Sequence, residues 1–321
     1  MKSDERVIYF YDLAVTARTE HANLPPVRSL LEVIAAERAA GRFRTAGDRA
    51  GNLWHFLGPI EFDEDNQTAT ILIRSSDKRS PEYGYSNVND GTLRLLEKDN
   101  HEGGDAAAHL VVSLLPADPD TYIAVLEGVS GLSHRNVISL FNNLLTAFYA
   151  NNPSHFTYPD PAGAKTRNGD IKRHEVKPKF KLIGHISDQL HQDIENGTIG
   201  DIELRNGRVN STIGNDPFIR SKSFRLTLSV QADIPKANVL ERLVTAIQSK
   251  HATYDRAKIH FVDQTGHPKT VEIDVTTGAV EQSYVQARRI SAVFPPLRMT
   301  TDVILSRVSD PMKEMLIEYR G

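Results

Sequence analysis

Leu53–Ser75 reads LWHFLGPIEFDEDNQTATILIRS. Two β-favouring runs, Leu53–Phe62 and Thr68–Ser75, flank the turn cluster Asp63-Glu64-Asp65-Asn66, so the stretch predicts an antiparallel hairpin. The arrangement recurs at Leu110–Leu115 and Tyr122–Glu127 around Pro116–Asp120, and Val7–Val15 adds an apolar, aromatic run. Two helices sit among these strands. In Pro26–Ala40, Pro26 suits the first turn, Leu30, Leu31, Ile34 and Ala35 line one side, and Gly41 is the stop. In His134–Ala150, Val137, Leu140, Phe141, Leu144, Leu145 and Phe148 fall three and four residues apart, on one face. The pattern predicts an α+β fold whose sheets are largely antiparallel.

The second half repeats the style. Phe180–Ile186, Ile199–Leu204, Phe224–Val230, Lys258–Val262, Thr270–Val275 and Ser283–Ala287 read as strands. Ile234–Ser249 reads as a helix with Val239, Leu243, Val244 and Ile247 on its apolar side, and a last helix spans Thr300–Tyr319 with a break near Pro311. A chain of 321 residues predicts two domains. Residues 151–171, NNPSHFTYPDPAGAKTRNGDI, lack an apolar period and read as a linker or long loop. The expected division is therefore an α+β domain at 1–150 and a second at 172–321. Charge supports it: residues 1–160 hold 14 Lys+Arg against 22 Asp+Glu, and residues 161–321 hold 24 against 19. An acidic half and a basic half point to a polyanion partner for the basic one.

Composition narrows the function classes. At 40% hydrophobic and 25% charged the chain is globular, and a formal charge of −3 excludes coating nucleic acid by bulk charge. Zero cysteines exclude disulfides, thiolate zinc sites, iron–sulfur clusters and a cysteine nucleophile. There is no phosphate loop, no dinucleotide fingerprint, no H-E-x-x-H and no G-x-S-x-G. His185 and His191 form the one close histidine pair, across an expected strand-to-helix junction, and read as surface or packing residues rather than metal ligands. No cofactor or metal is expected. The opening MKSDERVIYFYDLAV places two acids before a short apolar run, unlike a signal peptide, and no run approaches a membrane span, so a cytoplasmic location is expected.

Two patterns bear on chemistry. Pro159-Asp160 followed by Glu175-Val176-Lys177 has the look of a PD-(D/E)xK nuclease site. There Asp160 and Glu175 would hold a divalent cation and Lys177 would position water or offset phosphate charge. The stronger signal is electrostatic. Lys165, Arg167, Lys172, Arg173, Lys177, Lys179 and Lys181 crowd one segment, and Arg205, Arg208, Arg220, Lys222 and Arg225 form a second group. Strand alternation puts Lys177, Lys179 and Lys181 on one side, a row suited to a phosphate backbone. Nothing in the sequence reads as a base-reading helix, a zinc finger or an aromatic stacking platform. The expectation is a non-enzymatic, sequence-independent binder of double-stranded DNA. A metal-dependent nuclease is one alternative. The other is a protein-binding adaptor using the Leu140–Phe148 or Val7–Val15 face.

Three stretches carry a resemblance: Tyr122–Leu145 (YIAVLEGVSGLSHRNVISLFNNLL), Pro159–Leu204 and Lys258–Val280 (KIHFVDQTGHPKTVEIDVTTGAV). In the order of their apolar runs and turns, the chain resembles RexA-type phage-exclusion proteins and similar, KwaB-like phage-defence proteins. The resemblance implies a two-domain α+β protein, a homodimer, DNA binding without sequence preference within an anti-phage system, and a membrane-protein partner. It carries over no catalytic residue. Only the basic residues of Lys165–Lys181 match the position of a charged segment.

Overall fold

The computed structural model describes residues 2–18, 23–207, 223–231, 234–236, 238–276, 278, 280 and 284–320. In chain order the elements are β1 (Arg6–Thr16), α1 (Val27–Ala39), β2 (Arg44–Ala46), β3 (Leu53–Asp63), β4 (Thr68–Asp77), β5 (Tyr83–Ser86), β6 (Leu93–Leu96), β7 (Gly104–Asp118) and β8 (Thr121–Glu127). There follow α2 (His134–Asn151), β9 (Thr157–Pro159), β10 (Arg173–Glu175), β11 (Lys179–Gly184), α3 (Asp188–Asn196), β12 (Thr198–Asn206) and β13 (Phe224–Ser229). The last are α4 (Val239–Gln248), β14 (Arg256–Val262), β15 (Pro268–Asp274), β16 (Ala287–Ile290) and α5 (Ser306–Arg320). The fold is α+β with mostly antiparallel sheets, as the sequence predicts.

The β3–β4 hairpin forms where the turn cluster requires it. Asp63 Oδ1 accepts from the Asn66 amide at 3.0 Å, Oδ2 accepts from the Asn66 side chain, and Gln67 takes φ +50° to close the turn. The register slips between Leu57 and Ile60, at Gly58-Pro59, where a Cβ on Gly58 would lie 2.9 Å from the Leu72 carbonyl oxygen. The resulting sheet runs β11-β1-β8-β7-β4-β3-β2, with β16 also pairing β1.

Its central strands are buried on both sides: every residue from Thr68 to Ile73 and from Ala106 to Leu114 is buried. That explains runs of apolar residues rather than strict alternation. On one face lies a core of Ile8, Phe10, Val111, Ile123 and Val125 under Val308, Met312 and Leu316 of α5. Of the two expected adaptor faces, Leu140, Phe141, Leu144 and Leu145 of Leu140–Phe148 and Ile8, Phe10, Leu13 and Val15 of Val7–Val15 are buried, while Phe148 and Val7 are half-buried, so both faces are mainly core.

A buried polar clamp ties this face together. Arg6 Nε donates to Glu127 Oε1 at 2.7 Å, and His109 Nδ1 lies 2.6 Å from Glu127 Oε2. The Leu305 amide donates to His109 Nε2 at 3.0 Å, which fixes the ring hydrogen on Nδ1. The remaining Arg6 donors reach the carbonyls of Lys2, Glu5 and Arg298. The clamp joins the N-terminal strand, the sheet centre and the C-terminal segment.

The chain divides into two compact units: Met1–Leu182 with Arg288–Gly321, and Ile183–Ala287. This differs from the expected split around 151–171, because β11, β16 and α5 return the chain to the first sheet. Within the expected linker, residues 157–159 form a strand that pairs with 173–175 as a two-stranded ribbon, β9–β10. The partition also removes the charge asymmetry. The first unit holds 27 Lys+Arg against 28 Asp+Glu, net −1, and the second holds 11 against 13, net −2, which sum to −3.

The second unit is a sheet of order β13-β12-β14-β15 with α3 and α4 supplying Leu190, Ile194, Val239, Leu240, Leu243 and Ile247 to its core. Its helix α4 begins at Val239, after Asn238 at φ +53°, later than the predicted Ile234. Val285 makes only an isolated bridge to Ile186, Ser283 lies outside the described residues, and the regular strand is β16. The predicted break at Pro311 is absent: Pro311 is inside α5, where it forgoes one backbone bond while Val308, Met312 and Leu316 stay buried.

Candidate nucleic-acid interface

The segment Val176–Leu182 places its lysines by simple alternation. Val176, Pro178, Phe180 and Leu182 are buried while Lys177, Lys179 and Lys181 are exposed. Successive lysines therefore stand on one side about 6.6 Å apart along the chain. Because β11 ends the sheet, its outer backbone groups need partners. Helix α2 provides them. Asn142 Oδ1 accepts from the Phe180 amide at 2.8 Å, and Asn142 Nδ2 donates to the Phe180 carbonyl at 2.9 Å. The Tyr149 hydroxyl donates to the Pro178 carbonyl and Phe180 packs edge-on to Phe141, while on the inner side Thr16 of β1 donates to the Lys179 carbonyl. Burial pushes the Tyr149 hydroxyl above its ordinary pKa, so it remains a donor.

The β9–β10 ribbon carries the rest of the first basic group. Lys165, Arg167 and Lys172 are exposed on the connecting loop and, like Lys177, Lys179 and Lys181, form no ion pair among the described residues. Arg173 is instead spent on the ribbon, donating to the hydroxyl and carbonyl of Thr157.

Asp160 anchors this loop. Its Oδ1 accepts from the amides of Ala162 and Ala164, and His174 Nε2 donates to its Oδ2 at 2.6 Å. Those hydrogen bonds, His174 first, hold its pKa below the usual carboxylate value. The nuclease arrangement is not formed. The Asp160 amide bonds Lys172, whereas Glu175 faces Thr157, three positions further along the ribbon, or about 10 Å. That odd offset puts the two side chains on opposite faces of the ribbon, so they do not converge on one cation. Among the described residues no three His, Asp or Glu side chains are grouped to hold a metal ion.

The second basic group belongs to the other unit. Arg205 and Arg225 face each other across β12 and β13, and both pair with Glu203. The adjoining Arg256 and Lys258 pair with Glu272. This sheet face alternates charge rather than accumulating it. Arg208, Arg220 and Lys222 lie outside the described residues. His191 pairs with Glu241 between α3 and α4, a packing role.

Residues that the sequence does not connect also converge in the first unit. Trp54 and Phe56 of β3 and Tyr83 and Tyr85 of β5 line adjoining cavities at the opposite end of the sheet from β11. No helix of the described residues is long and apolar enough to cross a membrane. Comparison of the chain with protein-family models, with curated proteins and with solved structures finds no match.

Proposed function

We propose that this protein binds double-stranded DNA without sequence preference, through phosphate contacts made by the exposed cations of the first unit. One observation carries the reading: Lys177, Lys179 and Lys181 project in a single row, and neither they nor Lys165, Arg167 and Lys172 spend their charge on a carboxylate among the described residues. Cations already neutralised by neighbours release few counterions on binding; unpaired ones release the most. Arg205 and Arg225 are both engaged by the one carboxylate of Glu203 and are left out of the proposed interface. The setting that the resemblance suggests is an anti-phage defence system, with a homodimer and a membrane-protein partner.

The test is a titration of a labelled random-sequence 40-mer duplex at several salt concentrations with Mg²⁺ present, followed by a denaturing gel. With six cations on phosphates, log K falls with log salt at a slope of about −5. Reversal of Lys177, Lys179 and Lys181 to Glu abolishes binding while the far-UV spectrum stays unchanged. Equal affinity in that variant removes this surface as the DNA site. Shortened products would restore a nuclease reading.

A further inference from the structure

The face of the large sheet that carries α5 is not covered along its whole width. In the register, Phe10, Val125, Val111 and Thr70 form one row across the sheet, beneath α5. Following β4 from Thr70 with period two leads to Arg74 and Ser76 on that same face, and across to Phe56 and Trp54 on β3 and Arg44 on β2. Beyond the helix, the segment Arg298–Thr300 runs beside β7 instead: Ala107 donates its amide to the Met299 carbonyl, and Thr300 donates to Asp105. Beyond it the face is open. The β5–β6 hairpin forms a second wall, tied down by Lys98 donating to the carbonyls of Lys78 and Ser80. Two adjoining cavities result, of about 240 Å³ and about 780 Å³, which share Phe56 and Ser76.

Their chemistry is paired. Three aromatic rings each carry an arginine: Arg44 lies 5.5 Å from the Trp54 ring, Arg74 5.9 Å from Phe56 and Arg94 5.5 Å from Tyr85. Arg74 is held by Asp105, but Arg44, Arg94, Lys78 and Arg298 have no carboxylate partner among the described residues. Trp54 is fixed by its indole N–H, which donates to the Gly51 carbonyl at 3.0 Å, and Tyr83 and Tyr85 are each 56% exposed. Charge is graded along the cleft. The smaller cavity presents Arg44, Lys78 and His101 and no carboxylate; the larger includes Glu82, Glu97, Glu102 and Asp105. The cationic end suits a phosphate, and the aromatic rings suit the flat face of a base.

We infer that this cleft binds unpaired nucleobases with their phosphates, as a segment of single-stranded nucleic acid stacked on Trp54, Phe56 and Tyr85. A duplex buries its base faces in its own stack, so this ligand differs from the one proposed for the lysine row. The inference goes beyond the duplex reading and does not depend on it: β11 and β2 are opposite ends of a seven-strand path, about 29 Å apart.

Trp54 is the sole tryptophan, so its fluorescence reports on this cleft directly. The experiment titrates the full chain at low salt with a twelve-residue oligothymidylate and, separately, with thymidine 5′-monophosphate. Saturable quenching by the oligonucleotide is expected. Tyr85→Ala weakens it about 5- to 150-fold, the range for loss of one stacked base. Lys78→Ala weakens it as well, and the combined Lys177→Glu, Lys179→Glu and Lys181→Glu reversal leaves it intact. Equal per-site affinity for the mononucleotide keeps the site and makes a free nucleotide its source. No quenching by either ligand overturns the inference. Quenching that both Tyr85→Ala and Lys78→Ala leave undiminished, or that only the lysine reversal removes, overturns it too.

Discussion

Asn142 uses its side-chain amide as a one-residue strand, accepting from the Phe180 amide and donating to the Phe180 carbonyl. The two bonds close the outer edge of the sheet at the point where Lys179 and Lys181 project. A leucine in place of Asn142 has nearly the same volume but satisfies neither backbone group. Asn142→Leu is expected to cost about 1–3 kcal/mol. Hydrogen exchange should show it first as faster exchange at Phe180, with the amides of β7 and β8 unchanged.

Charge pairing separates the two basic groups, and the difference is measurable. Arg205 and Arg225 both hold Glu203, so each is engaged by a carboxylate, whereas Lys177, Lys179 and Lys181 pair with none among the described residues. Arg205→Ala and Arg225→Ala are expected to leave duplex affinity within about twofold and the salt slope unchanged. Neutralising Lys177, Lys179 and Lys181 with Gln should reduce the slope by about 2.7. A salt-series binding assay on the three variants distinguishes the groups. A slope that falls with the arginines instead moves the interface to the second unit.

The elements with period two were legible, and the pairings between distant elements were not. Alternation puts Lys177, Lys179 and Lys181 on one side, because one residue decides the face of its neighbours, and the strand expected at Phe180–Ile186 is β11 at Lys179–Gly184. The hairpin at Asp63–Gln67 is equally local. Charge by halves misleads because β16 and α5 bring residues 288–320 back to the first sheet, and β11 stays with it. Asp160 resembles a metal ligand in the sequence, yet its lone pairs serve the amides of its own loop and His174. The aromatic cleft draws on residues from Arg44 to Thr300, which only the sheet register brings together.

The buried clamp makes the first unit sensitive to single charge deletions. Arg6 and Glu127 are each 3% exposed, and Glu127 also accepts from the main-chain amide of His109. Glu127→Leu leaves the Arg6 guanidinium buried without its partner, a loss of about 3–5 kcal/mol. Because Trp54 lies in the same unit, urea denaturation followed by its fluorescence reports this loss without interference from the second unit. An unchanged midpoint would show that the guanidinium finds water or another acceptor.

The loop that carries Lys165, Arg167 and Lys172 depends on the charge of Asp160. Its pKa is held below the ordinary 3.8, with the His174 hydrogen bond the largest cause. A carboxyl group with a depressed pKa stabilises the fold fully above its unfolded value, and that contribution is lost as pH falls through the depressed one. The loop is therefore firm at neutral pH and is expected to loosen only below about pH 3.8. Asp160→Ala should produce the same loosening at neutral pH, since the amides of Ala162 and Ala164 then lose their acceptor. Limited trypsin digestion at pH 8, with fragments identified by mass, should show faster cleavage after Lys165 and Arg167 in this variant. Asp160→Asn keeps one acceptor oxygen and should be intermediate. Equal cleavage in all three proteins would mean that the ribbon pairing of Thr157–Pro159 with Arg173–Glu175 holds the loop without Asp160.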